Sequence, residues 1–448
     1  MPPSGLGPWG WRPAAVLTGI VLVDALDQGV VPGTLGLLQD QWGFSDTVAG
    51  ALPTAAVLAG FLVLVPAGWL ADHARRTRLL TVVVASWALL SGLSAVAPSF
   101  LAFFGVRILL GGASHVDNPV SSSLVADYYP PLARGRVYAV QRLTVVIGTG
   151  VGVGVGGLVG GALGWRWAYV VAAVPGLLVA LVVARLREPA RGALDGPGAL
   201  DPLAAPDPLD GPPVALLEEI DDTAPRPGPG GLRAYPREFR RVLDIRTIRS
   251  VSLGLAVTVL GIAGIAYWLP TFFERDFGLS AASAAALTAV AAITAGVVGA
   301  LVGGTLGDRV EAHRPGGRIT LTAGAVVVGT LLAVIGFAVP VLAVTAGLVT
   351  VAATLLSIAF PNLAAVAAEV LPARRRGTGF AMFGFVLTLG SAAGPLVIGA
   401  VSQASGSLRW AMAAAVLPAL PGALVIRRGG RTFVADAAAA AAAAPGPA

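Results

Sequence analysis

The sequence predicts an all-α membrane protein with twelve transmembrane helices in two pseudo-symmetric six-helix bundles. Three observations carry that prediction. Apolar residues make up 56% of the 448-residue chain and charged residues only 12%, against roughly 25% charged in an average soluble domain. The charges lie between apolar runs of about 20 residues or more, each long enough to cross a bilayer. A set of polar punctuation marks also occurs twice in the same order. Gly68-Trp-Leu-Ala-Asp72 recurs as Gly304-Thr-Leu-Gly-Asp308, and Ala126-Asp127 with Arg134-Gly135 recurs as Ala368-Glu369 with Arg376-Gly377. Arg166-Trp167-Ala168 recurs as Arg409-Trp410-Ala411. The offsets are 236, 242 and 243 residues, which is the mark of two related halves. A soluble α/β chain of this size would show turns and polar helix faces at much shorter intervals than this one does.

The apolar runs fall at 14–38, 47–71, 79–97, 100–127, 137–161 and 165–186, then at 250–272, 281–307, 319–340, 342–368, 377–402 and 407–427. Loop arginines give the direction. Arg75, Arg76, Arg78, Arg134, Arg136, Arg309, Arg314, Arg318, Arg374, Arg375 and Arg376 occupy one set of loops, and Arg427 and Arg428 follow the last run on that side. The alternate set holds only Arg166, Arg275 and Arg409. A multi-pass protein of the cell inner (plasma) membrane, with both termini cytoplasmic, is expected. The expected organisation is a bundle over 1–187, a cytoplasmic linker over 188–248, a second bundle over 249–428 and a disordered tail over 429–448. Within the linker, Tyr235, Phe239 and Val242 recur at helical spacing among arginines after Pro236, the pattern of a short helix lying on a membrane surface.

The chain has no cysteine and no lysine, so disulfides and thiol catalysis are excluded. A net charge of +6 and a pI near 10.4 suggest nucleic acid only when the arginines form a soluble patch. Here they sit at the ends of apolar runs, as contacts with anionic membrane lipids would place them. The stretch before the first run lacks a small-residue cleavage pattern, so that run is expected to be retained. The glycines from 148 to 161 are not followed by Gly-Lys-Ser/Thr, so they read as a helix-packing surface and no cofactor is called for.

Gly68-Trp-Leu-Ala-Asp72, followed by Arg76 and Arg78, resembles the signature between helices two and three of the major facilitator superfamily. Gly164-Trp165-Arg166-Trp167-Ala168 resembles that family's entry into helix six. A narrower resemblance is to the Spinster branch, carried by Gly43-Phe44-Ser45-Asp46-Thr47-Val48-Ala49-Gly50 and by Leu124-Val125-Ala126-Asp127-Tyr128-Tyr129-Pro130-Pro131. It implies transport of a sphingolipid or lysophospholipid. A monomer is expected. Two positions differ from the branch: Gln28 follows Asp27 where Arg is usual, and Ser114 stands where Glu is usual.

A charge at mid-membrane costs roughly 2.5–3.5 kcal/mol on insertion scales, so each one needs a reason. Asp24 and Asp27 lie three residues apart on the first helix and share roughly one face. His115 and Asp117 on the fourth helix reach overlapping depths, with Arg107 nearer its outer end and Arg142 on the fifth. The set reads as a proton-exchanging cluster, a fixed buried network or a headgroup site. Ser114, Tyr267, Trp268 and Asn362 are cavity candidates, Tyr267 and Trp268 being equally suited to anchor at an interface. Gly68, Asp72, Arg76, Arg78, Asp127, Asp308 and Glu369 form the expected cytoplasmic gate. The function expected is secondary active transport of a lysophospholipid or sphingolipid-like amphiphile by alternating access, coupled to protons. A proton-coupled multidrug exporter and a lysolipid uniporter share the same features. A membrane enzyme is disfavoured because Ser114 and His115 are adjacent and face different directions on a helix.

Overall fold

A computed structural model describes residues 9–190, 240–372 and 376–442, together with backbone alone for short stretches within α2, α4, α5 and α12. Every regular element among the described residues is helical. Among the described residues, twelve spans are long and apolar enough to cross a membrane. The chain divides into two compact units. Unit 1 comprises Met1–Gly43, Ala55–Arg226 and Leu279–Ala289; unit 2 comprises Phe44–Thr54, Pro227–Gly278 and Val290–Ala448.

In unit 1 the helices are α1 (Arg12–Trp42), α2 (Asp46–His73, whose first turns belong to unit 2), α3 (Arg76–Ala95), α4 (Phe100–Tyr128), α5 (Pro131–Leu163) and α6 (Trp165–Val183). Their starts follow local chemistry. Ser99 caps α4 by accepting from the Ala102 amide, and α5 opens on Pro131, where the missing N–H costs nothing. The core runs through Leu17, Leu80, Val84, Trp87, Leu124 and Tyr128. α1 and α5 cross at backbone contact. A Cβ at Gly29 would fall on the Thr149 carbonyl, and one at Gly152 on the Leu26 carbonyl, so only glycine lets these two helices approach so closely.

Unit 2 holds α7 (Arg246–Phe277), α8 (Ala281–His313, with its first turns in unit 1), α9 (Gly317–Ala338), α10 (Leu342–Ser357), α11 (Ala359–Val370), α12 (Arg376–Ser405), α13 (Leu408–Val416), α14 (Ala419–Gly429) and α15 (Phe433–Ala442). α10 with α11 makes one span, and α13 with α14 another. The breaks fall beside Pro361 and Pro418, residues suited to a first turn and poorly suited to a helix interior. The crossing of α7 and α12 repeats that of α1 and α5: a Cβ at Gly394 would fall on the Leu260 carbonyl.

The first turn of α2 is held firmly in unit 2. Arg275 donates to both carboxylate oxygens of Asp46, each at 2.9 Å, and Ser402 donates to Oδ2 at 2.6 Å. Tyr267 donates to the Ala49 carbonyl and Thr54 to the Ala392 carbonyl.

Two expectations need comment. The linker helix around Tyr235, Pro236 and Phe239 lies outside the described residues, which resume at residue 240 with Val242 buried. The expected disordered tail is corrected in part, because Phe433–Ala442 is a helix with Phe433 buried. Its Asp436 accepts from the Thr247 amide at 2.9 Å, and Thr432 pairs with Thr247 at 2.7 Å. α7 has no side-chain cap from its own N-cap residue, Ile245, so the tail supplies one. An alanine-rich composition hides this because three residues, Thr432, Phe433 and Asp436, do the anchoring.

Candidate functional site

A buried polar group within the apolar spans of unit 1 is centred on Asp27. Its position near the middle of α1, about 22 Å along the helix from Arg12 by the helical rise, leaves it 1% exposed. Arg107 of α4, 7% exposed, donates from Nη2 to Asp27 Oδ2 at 2.9 Å. Ser91 of α3 donates to Oδ1. Both carboxylate oxygens are therefore bonded, and the charge is paired as a buried charge must be. The Arg107 guanidinium also lies over the Tyr169 ring of α6, 5.6 Å from its centroid. The Tyr169 hydroxyl meets Thr34 at 3.1 Å. Phe103 and Trp165 pack edge-on against Tyr169 and make one wall of the group aromatic, with Trp42 packed on Phe103 and Trp165 in turn.

Asp24 lies one turn before Asp27 and is half-buried. Its Oδ2 accepts from Gln28 Nε2 at 2.7 Å, while Oδ1 is buried without a hydrogen bond. The Ser114 hydroxyl stands beside this carboxyl on α4 and is itself buried without a bond of good geometry. Asp117 is buried farther along α4, at 8% exposure. The side chain of His115 lies outside the described residues. Arg142 is exposed on α5 and has no place in the Asp27 group.

The candidates of the second half hold helices together. Tyr267 and Trp268 are both buried, at 7% and 0% exposure, so they neither line open space nor anchor at a surface. Tyr267 bonds to Ala49 and Trp268 Nε1 to the Pro395 carbonyl at 2.9 Å. Asn362 is buried too, donating to the Gly303 and Ile358 carbonyls at 2.9 and 3.0 Å, and so joins α8 to α11. The correction has one cause: an amphipathic side chain goes inside when its polar tip finds a backbone carbonyl.

The expected gate residues form one cluster in each unit. In unit 1 the fully buried Arg76 pairs with Asp127 and also with Glu188, at 2.8 Å in the second case. It donates to Ser123 and to the Pro189 carbonyl as well. Glu188 Oε2 accepts from the Thr77 amide and hydroxyl, capping α3. In unit 2 Arg318 pairs with Glu369 and with Asp308, the latter at 2.7 Å. Arg78 is half-buried. Gly68 and Asp72 are described by their helical backbone alone.

Sequence reasoning did not single out Ser91, Tyr169, Thr34 or Glu188. The first three are ordinary polar residues at helical spacing, and nothing local marks them as facing a charge. Glu188 had a usable signal, since it is the first acid after the last apolar run of its half.

A family model described as Major Facilitator Superfamily matches residues 17–358 and 251–439. The chain is similar to Protein spinster homolog 3 of Danio rerio, 25% identical over 413 residues, covering 87% of this chain and 76% of that protein. It is also similar to the gallate transporter of Pseudomonas putida, 28% identical over 421 residues, covering 92% and 90%. Among solved structures it resembles a bacterial homolog of the human lysosomal transporter Spinster in an inward-facing, unoccupied conformation. That match has a TM-score of 0.78 and 21% identity, and covers 95% of this chain and 98% of the other, a likeness of fold.

Proposed function

Because the chain belongs to the Major Facilitator Superfamily, we propose that it is a secondary transporter moving an amphiphilic, lipid-like solute by alternating access in a proton-linked cycle. One observation carries the reading: the carboxylates Asp24, Asp27 and Asp117 and the Arg107 guanidinium are placed inside the apolar spans of unit 1. Such groups are expensive in a membrane and mark substrate or ion pathways. The Spinster resemblance favours a lysophospholipid or sphingolipid-like cargo, with the transporter acting as a monomer in the cell membrane. No catalytic step is assigned.

A second reading follows from the Pseudomonas putida relative, which matches nearly the full length of both chains and is named for gallate. An aromatic carboxylate anion would suit the arginine and the aromatic wall of unit 1.

The test is uptake into proteoliposomes with and without an imposed pH gradient. The panel contains a lysophospholipid, a sphingoid base, a hydrophobic cation and gallate. The expected result is gradient-stimulated movement of the lysophospholipid. Movement of gallate alone would select the second reading, and no movement of any compound would overturn both.

A further inference from the structure

Two neighbouring helices of unit 2 carry exposed apolar stripes that end in arginine. On α14 Leu424 is 59% exposed, and the exposed Arg428 stands one turn further along the same face. On α7 Val257 and Leu253 are exposed, and the exposed Arg249 and Arg246 follow one and two turns toward the helix start. The two helices touch along their backbones, since a Cβ at Gly254 would fall on the Gly422 carbonyl. Their arginine ends meet at one junction, where Thr247 donates to the Gly429 carbonyl at 3.3 Å and pairs with Thr432. Arg427 and Arg431 are exposed there too. From this junction α15 departs, an apolar helix with Val434, Ala435 and Ala438 on its exposed side.

We propose that this corner of unit 2 is a docking surface for an anionic phospholipid, its acyl chains along the exposed stripes and its phosphate among the arginines of α14 and α7. The inference goes beyond the transport reading and needs only that the chain spans a membrane. An exposed leucine in a span lies against acyl chains, so an arginine one helical pitch further along lies at headgroup depth. A guanidinium fork matches the oxygens of a phosphate. A zwitterionic headgroup brings an ammonium of its own among these cations, and a net-negative one does not, so the surface favours the second.

The acids nearby are few and mostly engaged. Asp436 accepts from the Thr247 amide, and Glu311 on the adjoining turn between α8 and α9 accepts from the Gly316 and Arg318 amides. Asp244 is exposed ahead of α7. The same contacts give a bound lipid a route inward. Asp436 and Thr432 fasten α15 to the first turn of α7, so a headgroup held on Arg428 and Arg431 steadies both segments.

The test places the full chain in phosphatidylcholine vesicles with and without phosphatidylglycerol. Binding is read with spin-labelled forms of the two lipids, and hydrogen exchange is followed in α15 and the first turn of α7. Phosphatidylglycerol should bind in preference to phosphatidylcholine and slow exchange in both segments. Arg428→Gln/Arg431→Gln should weaken that binding by about fivefold per arginine and abolish the slowing. Arg136→Gln/Arg185→Gln, the same charge change on exposed arginines of unit 1, should leave the slowing intact. An equal response to the two lipids overturns the proposal, as does equal loss in the two double variants, which would mean general surface charge. Glycerol phosphate in solution should have no effect; slowing by it as strong as by the lipid would mark a site for a soluble anion and overturn the docking of lipid.

Discussion

Arg166 of unit 1 donates to the Ala97 carbonyl just past α3, and Arg409 of unit 2 donates to the Phe337 and Val339 carbonyls at the end of α9. Arg76 at the start of α3 pairs with Asp127 at the end of α4, and Arg318 near the start of α9 pairs with Glu369 at the end of α11. Gly29 and Gly152 let α1 and α5 touch, as Gly264 and Gly394 do for α7 and α12. Both halves thus spend their repeated residues on closing helix ends and crossing helices. The Asp24, Asp27 and Arg107 group has no counterpart: α7 and α10 carry no charged side chain at its depth. The repeat preserves the scaffold, and the chemistry sits where the halves differ.

Breaking the unrepeated group should have the largest effect. Arg107→Ala leaves Asp27 buried without its cation and should cost about 3–5 kcal/mol, read as a large fall in thermal stability in detergent. Asp27→Asn/Arg107→Met should cost much less than Arg107→Ala alone, because no charge is left stranded. A double variant as unstable as the single one would mean that the pair contributes by shape and not by charge.

The glycine crossings test the repeat itself. Gly152→Val and Gly394→Val each drive a side chain into a backbone carbonyl, that of Leu26 or Leu260, and each should cost about 1–3 kcal/mol. Similar losses from the two would support equivalence of the crossings; tolerance of one alone would break it.

The paired arginines should then separate the halves. Arg76 is 1% exposed and its loss takes a buried cation away from Asp127, itself only 7% exposed as a side chain. Arg318 faces Glu369 at 40% and Asp308 at 73% exposure. Arg76→Ala should therefore destabilise by several-fold more than Arg318→Ala, whose exposed pairs are worth under about 1 kcal/mol. Equal shifts in melting temperature would remove the distinction.

The smallest effect concerns the tail. Asp436→Ala removes the cap on α7, worth about 1 kcal/mol. Faster hydrogen exchange confined to the first turn of α7 is the expected signature, and unchanged exchange there would show the cap to be idle.

Most of the fold was legible in the chain. Twelve apolar runs became twelve spans, and the runs at 100–127 and 165–186 became α4 and α6 nearly unchanged. Where the chain misled, the cause was local. The alanines after Phe433 resembled a loose tail until Asp436 was seen to cap α7. Asp24, Asp27 and Arg107 stood out because a charge inside an apolar run is conspicuous by itself. Ser91, Thr34 and Tyr169 did not, since an uncharged polar residue at helical spacing is unremarkable until its partner is known.

The sequence by itself determined the spans, the two related halves and the charges inside the first of them, Asp24, Asp27, Arg107 and Asp117. These depend on hydropathy, periodicity and residue type, all of which are local. Only the tertiary structure decided that Arg107 bonds to Asp27 and makes no ion pair with Asp24, that Tyr267 and Trp268 turn inward, and that Arg142 stays outside. Those outcomes depend on how each helix is rotated about its axis and which neighbour it meets. A rotation of one residue, about 100°, would bring a different side chain to every one of these contacts.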